Sequence, residues 1–383
     1  MIRTPVKPEV IRWARQRFGV SQEDLSEKFK KLPEWECGST QPTLRQLETF
    51  ARTVQIPVGY MFLSKPLKED IPIEDYRSFP DQVFPTHSPN MLDTIYTCQS
   101  RQDWYRVNIQ KEIPISNFVG SVTIKSSPEI VANQIRDTIG FDFKTQQKCK
   151  DWTEVIHQFC YRAEEAGILV MVSGIVKCNT HRRLDPDEFK GFALSDPIAP
   201  LVFVNGKNLK ATWTFLLAHK IAHIWLGTSA LSNLGIAPEK EFNKTEIWCT
   251  QVALELLLPK ETLKSRLNPS EDLSNSLLQL SKEFKVSTLV ILRRLLDLEL
   301  LTFDCFNSEW ALEYKRVRKN DPNISTGGGD FYKRTIKGLG ERFAHALVRS
   351  TLEGKTLYRD AFELIGIHNS NSFKKLAHRL GVI

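Results

Sequence analysis

The stretch Thr212-Trp-Thr-Phe-Leu-Leu-Ala-His219-Lys-Ile-Ala-His223-Ile-Trp-Leu-Gly227 is apolar around a helical wheel and ends on a glycine. That is the pattern of one buried helix with a left-handed stop. His219 and His223 are four apart, so both imidazoles leave the same face and can meet one metal ion. Neutral imidazole is a good zinc ligand, and a helix holds the two rings without further ordering cost. Eight histidines in the chain make the spacing a weak motif by itself, and two satisfied core histidines are the competing reading. A second helix roughly 20 residues later adds weight. It carries Glu246, Cys249, Ala253 and Leu257 on adjoining faces and stops at Pro259. Glu246 is spaced to supply an oxygen ligand, giving a His-His-Glu set with an open fourth position.

Upstream of this pair, three strands are expected, Ile168 to Val172, Gly191 to Ser195 and Leu201 to Val204, the second as a sheet edge beside the metal. Ser127-Pro128 reads as an N-cap and first position of a helix ending at Gly140, and a further helix from Trp152 to Ala166 buries Val155, Ile156 and Phe159. Short helices are expected in residues 1–65. Val10, Ile11, Ala14 and Phe18 line the first, Ser21 caps the second, and Thr43 with Gln46 forms a capping box for another. Prolines 66, 72, 80, 85 and 89 suggest an extended linker over 64–92. Helices dominate beyond Pro259, interrupted by a Gly327-Gly328-Gly329 loop that lacks the Lys-Ser/Thr of a phosphate cradle.

Composition bounds the class. At 383 residues, 41% hydrophobic and 25% charged, the chain has the make-up of a folded protein of two or three domains. The longest apolar run, Gly167 to Val176, is too short to span a bilayer, and no signal-peptide core opens the chain. The expectation is a soluble cytoplasmic protein with no membrane partner. Seven cysteines never come as close as C-x-x-C, which argues against a disulfide framework. The net charge of +7 sits mostly at the C-terminal end: about 14 basic against 7 acidic residues over 311–383, and about 12 against 9 over 1–70.

Several runs together resemble the ImmA/IrrE family of bacterial zinc endopeptidases. They are Glu188 to Asp196, Pro200 to Asn205, the Phe-Leu-Leu-Ala-His-x-x-x-His helix, and Glu246-Ile-Trp-Cys-x-x-Val-Ala-x-Glu-Leu-Leu-Leu-Pro259. The N-terminal end resembles the XRE-type helix-turn-helix domain often fused to such peptidases, through Arg12-Trp-Ala-Arg15, Trp35-Glu-Cys-Gly38, Pro42-Thr-Leu-x-Gln-Leu47 and Pro57 through Leu63. Asp75-Tyr-Arg77 and the glycine loop also fit such fusions. The resemblance implies His219, His223 and Glu246 as zinc ligands, and a general-base glutamate directly after the first histidine.

That position holds Lys220. The family's glutamate takes a proton from the attacking water and passes it to the leaving amine, which an ammonium cannot do. Three readings follow: zinc binds and the fold grips a peptide without cutting it; the ammonium takes the metal's place and pairs with Glu246; or Lys220 is a substitution in an active enzyme. Glu255, some 13 Å along the helix from Glu246, reads as a structural residue rather than a substitute base.

In the N-terminal module, the span from Phe29 to Trp35 leaves room for a short recognition helix interrupted by Pro33. Lys30, Lys31 and Arg45 are the candidate DNA contacts.

The fold expected is α+β and mostly helical: an XRE-like domain (1–65), a linker and helical segment (66–150), a zincin-like domain with a small sheet (151–262), a helical extension (263–320) and a basic helical region (321–383). The function expected is a stress, prophage or toxin–antitoxin regulator that binds a toxin or repressor protein, with DNA and a homodimer as further partners. An active zinc endopeptidase, or a repressor using the peptidase fold as a sensor, are the alternatives.

Overall fold

A computed structural model describes residues 3–77, 87–109, 116–233, 243–267, 272–319, 321 and 330–383. The Gly327–Gly329 loop and prolines 80 and 85 lie outside the described residues. Contacts divide the chain into two compact units, Met1–Pro72 with Phe79–Ile95, and Ile73–Ser78 with Tyr96–Ile383.

The first unit holds α1 (Pro8–Phe18), α2 (Gln22–Ser26), α3 (Leu32–Cys37), α4 (Leu44–Thr53) and a 3₁₀ turn at Val58–Phe62. Its starts obey local chemistry. Ser21 accepts from the Asp24 amide, and Thr43 with Gln46 closes the capping box. Val10, Ile11, Leu25, Phe29, Trp35, Leu47 and Phe50 form its core. α3 is brief and starts late, at Leu32, because Pro33 fits only in a first turn. Arg15 clamps Glu36 through Nε (2.6 Å) and Nη2 (3.1 Å), and Arg12 donates to the Glu36 carbonyl, so both arginines tie α1 to α3.

The second unit contains β1 (Glu74–Asp75), α5 (Pro89–Ile109, from Tyr96 onward), α6 (Pro128–Ile139), α7 (Phe143–Lys148), α8 (Trp152–Glu165), β2 (Leu169–Ser173), β3 (Gly191–Leu194), β4 (Leu201–Asn205), α9 (Trp213–Leu226), β5 (Ala230–Ser232) and α10 (Lys244–Leu257). Then come α11 (Lys260–Arg266), α12 (Leu273–Phe284), α13 (Thr288–Asp297), α14 (Phe303–Lys319), α15 (Phe331–Leu339), α16 (Glu341–Leu352), α17 (Tyr358–Ile365) and α18 (Ser370–Arg379). The architecture is α+β and mostly helical around one mixed sheet of order β1-β5-β3-β4-β2.

The expected strands and helices form, with small shifts at their ends. Two expectations are corrected. The strand at Gly191 is not a sheet edge: it pairs antiparallel with β4 on one side and with β5 on the other. Pro89 does not belong to an extended linker but opens the 21-residue helix α5. Ser127 stands at the N-cap of α6 with extended backbone, though its hydroxyl makes no capping bond.

α9 packs against β3 and β4, and also against α8 and α10, so nearly all of its surface is covered. Every residue from Trp213 to Trp225 is buried. Trp225 stacks on Phe118 at 4.4 Å between centroids, and truncating such a ring to alanine costs about 3–5 kcal/mol. Gly227 ends the helix at φ 74°, and a Cβ there would sit 2.9 Å from Gly120 Cα; both facts require glycine. α12 and α13 contribute Leu277, Leu280, Leu289 and Ile291 to the same core, as their apolar richness predicts. Among the described residues no helix is long and apolar enough to cross a membrane.

The C-terminal helices pack on this unit, α15 and α16 lying against β2. Buried Arg101 of α5 bonds the carbonyls of Gly338 (3.1 Å) and Leu364 (3.0 Å). Arg342 donates to the Glu164 carbonyl at 2.8 Å. Burial, with Glu341 nearby, raises the Glu164 carboxyl to about 7 despite backbone amides that favour its charge. A carboxyl that binds its proton more tightly when folded contributes stability in full below its unfolded pKa of 4.5, and loses it as pH rises through about 7. Glu164→Gln should therefore gain in thermal midpoint over the unchanged chain at about pH 8.5, with the gain shrinking towards about pH 5. Equal differences at both pH values would place the group's titration elsewhere.

Candidate metal centre

Two helices build the site. Burial on all sides and the Gly227 stop fix α9, while Asn243 caps α10 by accepting from the Thr245 amide. His219 and His223 face α10, their rings 5.1 Å apart at 76°. Glu246, in the first turn of α10, brings Oε1 to 2.9 Å from His223 Nε2 and Oε2 to 3.7 Å from His219 Nε2. One turn on, Cys249 joins them: one ligand atom each from His219, His223 and Cys249 lie within 4.8 Å of one another. Two candidate third donors thus stand on α10, a carboxylate and a thiol.

These groups are almost wholly buried, and their polar atoms are unsatisfied. His219 Nδ1 and Nε2, His223 Nε2 and both Glu246 oxygens have no aligned hydrogen-bond partner. The 2.9 Å approach of His223 to Glu246 is close enough for a hydrogen bond but lacks its alignment. A buried polar atom left unpaired costs about 1–3 kcal/mol, so several converging on one point call for a cation. The donor set suits a divalent metal of the zinc type. His223 is also oriented from behind, its Nδ1 lying 3.1 Å from Thr228 Oγ1. Phe215 stacks on His219 with the two planes only 2° apart.

Protonation follows from the surroundings. Burial pushes the His219 imidazole well below its ordinary value, against the pull of Glu246, and lowers His223 as well. Burial alone would raise the Glu246 carboxyl, but Lys220, His219 and His223 hold it below the usual carboxylate range. Neutral imidazoles and an ionised carboxylate are the forms in which these side chains bind metals. Burial lifts the Cys249 thiol well above its ordinary value.

Lys220 is completely buried. Its Nζ donates to Ser232 Oγ of β5 at 2.8 Å and makes no ion pair with Glu246 within 4.0 Å. The ammonium therefore does not take the metal's place between the histidines and the glutamate. Burial lowers its pKa, while Glu246 and Cys249 oppose that shift.

The sheet edge beside the site is β1. Glu74 N bonds Ser229 O (3.1 Å) and Tyr76 N bonds Leu231 O (2.9 Å), which lays the Asp75-Tyr-Arg77 motif alongside β5. The Tyr76 ring stacks on His223, 6.1 Å between centroids. Arg77 pairs with Asp75 at 2.8 Å.

The structure thus brings His219, His223 and Glu246 together, with Lys220 beside them but turned to Ser232. Glu255 pairs with Arg294 and accepts from the Lys260 amide, the structural role its position implies. Lys30 and Lys31 precede α3, and Arg45 lies on α4; all three are exposed. Sequence reasoning placed Cys249 on the correct face without assigning it a role. Its spacing of three from Glu246 was the available signal. Ser232 carried none, because its contact is tertiary, whereas Thr228 lies five residues beyond His223 and Tyr76 within the Asp75-Tyr-Arg77 motif.

Residues 163–296 match the family model of the IrrE N-terminal-like domain, a peptidase family. This segment holds the sheet from β2 to β5 and both site helices, and it is similar to ImmA/IrrE-type peptidases. Residues 339–379 match a domain of unknown function (DUF8813), which spans α16 to α18. No curated protein matches the chain.

Zinc added to the chelator-treated chain should raise its thermal midpoint by mass action, and a chelator should reverse the rise. His219→Ala and Glu246→Ala should each abolish the zinc-dependent shift. A shift of unchanged size in both variants would put the ion elsewhere.

Proposed function

We propose that this chain is a regulatory protein whose ImmA/IrrE-type fold holds zinc and grips a partner protein without cleaving it. The observation that carries the reading is Lys220 at the general-base position, buried and bonded to Ser232. His219, His223 and Glu246 would hold the ion, which supplies positive charge at the centre of the fold. Hydrolysis also needs a group that accepts a proton and returns it to the leaving amine. Lys220 is a hydrogen-bond donor fixed on β5, and Glu255 is engaged with Arg294. Glu246 belongs to the donor set itself, and Glu74 accepts from the Tyr76 hydroxyl.

The partner is a toxin or repressor, with the protein encoded by the adjacent gene as the first candidate. Purified unchanged chain, loaded with zinc, should form a stable complex with that protein and leave it intact. Cleavage by the unchanged, zinc-loaded chain would establish the endopeptidase reading instead.

A DNA-binding role for the first unit draws support from the exposure of Lys30, Lys31 and Arg45. The short helix α3 itself carries Glu34 and Glu36 and no basic side chain, so contact would come from its flanks and from α4. An operator gel shift should weaken with salt, and Lys30→Ala with Lys31→Ala should flatten that dependence by about one phosphate contact per residue. No shift even at low salt would leave the unit a protein-contact module.

A further inference from the structure

We infer that Cys249 is a fourth metal donor, so that the centre is a closed four-ligand site with no position left for water. The inference rests on the metal-holding reading above and specifies what kind of centre it is.

Position supplies the first argument. Glu246 and Cys249 are three apart on α10, one turn along the same face, and they confront His219 and His223, four apart on α9. Two helices thus present H-x3-H against E-x2-C. The atoms that converge are unpartnered and buried: His219 and His223 are completely enclosed, as is Cys249, and both Glu246 oxygens lack a bond. The thiol lies within the same 4.8 Å cluster as the two imidazoles.

Chemistry supplies the second. Thiolate sulfur is a regular ligand of zinc-type ions, its proton passing to solvent as the sulfur–metal bond forms, and Cys249 is the sulfur that stands in the cluster with the two imidazoles.

The third argument is coordination number. Structural zinc sites take four protein ligands, whereas catalytic ones take three and leave a position open. Two histidines, Glu246 and Cys249 complete four. The ion then pins α9 to α10 and does no chemistry.

The test uses the full chain loaded with zinc, and in parallel with cobalt(II). X-ray absorption at the zinc edge should show one sulfur at about 2.3 Å among nitrogen and oxygen at about 2.0–2.2 Å. The cobalt form should show a thiolate-to-metal charge-transfer band in the near ultraviolet. Cys249→Ala should remove that band and weaken zinc binding by more than the roughly 10–100-fold that loss of an outer-shell partner costs. Cys249→Ser serves as a second variant of nearly native volume. Stoichiometric zinc with no sulfur neighbour would overturn the four-ligand site while leaving the metal reading in place. A charge-transfer band that persists in both variants would assign the sulfur to another cysteine and overturn it as well. Failure of the unchanged chain to bind either ion would overturn both readings.

Discussion

Two imidazoles, a carboxylate and a thiol are enclosed between α9 and α10, and most of the nitrogen and oxygen atoms among them lack hydrogen-bond partners. A fold does not accumulate such a debt in its centre without something that satisfies it. The surrounding structure serves that enclosure. β3 and β4 cover one side of α9, α8 another, and α6 closes the far side of α10. The stacked Phe118–Trp225 pair and the Gly120–Gly227 approach hold the helix end in place. Each histidine is immobilised by an aromatic neighbour, His219 by Phe215 and His223 by Tyr76.

Within that frame, Lys220 divides two properties that usually travel together. Holding a metal needs converging donors, and cutting a peptide needs a proton acceptor beside it. In this chain the donors converge, and the residue after the first histidine, Lys220, ties α9 to β5 through Ser232. The packing of α15 and α16 against β2 joins the C-terminal helices to the same sheet.

Much of this was legible in the sequence, for reasons that differ by element. α9 declared itself by being apolar all round and by Gly227, and the strands from Leu169 to Asn205 by their continuous apolar runs. The Thr43–Gln46 box and the Ser21 cap were readable because capping is local. α5 was not read, since its buried face, Met91, Ile95, Cys98 and Tyr105, is interrupted by the polar Arg101 and Gln102, and the prolines up to Pro89 suggest a linker. β1 and β5, at two and three residues, are too short to show alternation and exist only through pairing across more than 150 positions of chain. The edge assigned to Gly191 failed for the same reason: its neighbour β5 could not be seen from composition. In the site, His219, His223 and Glu246 followed from helical spacing, whereas the partner of Lys220 depended on where the sheet placed Ser232.

Tyr76, next after β1, touches the candidate metal centre, while the strand owes very little to the core. Its pairing with β5 covers two residues, each backbone hydrogen bond there is worth about 1 kcal/mol net, and both of its residues are exposed. Separation of so short a ribbon is a local event whose free energy lies far below that of global unfolding. The Tyr76 ring would leave His223 with it, so one face of an imidazole that is otherwise sealed would meet solvent transiently and often. The centre is therefore permanent in its donors but intermittent in its exposure. The amides of Glu74 and Tyr76 should trade hydrogen for deuterium on a timescale set by this breathing, well ahead of those in α9.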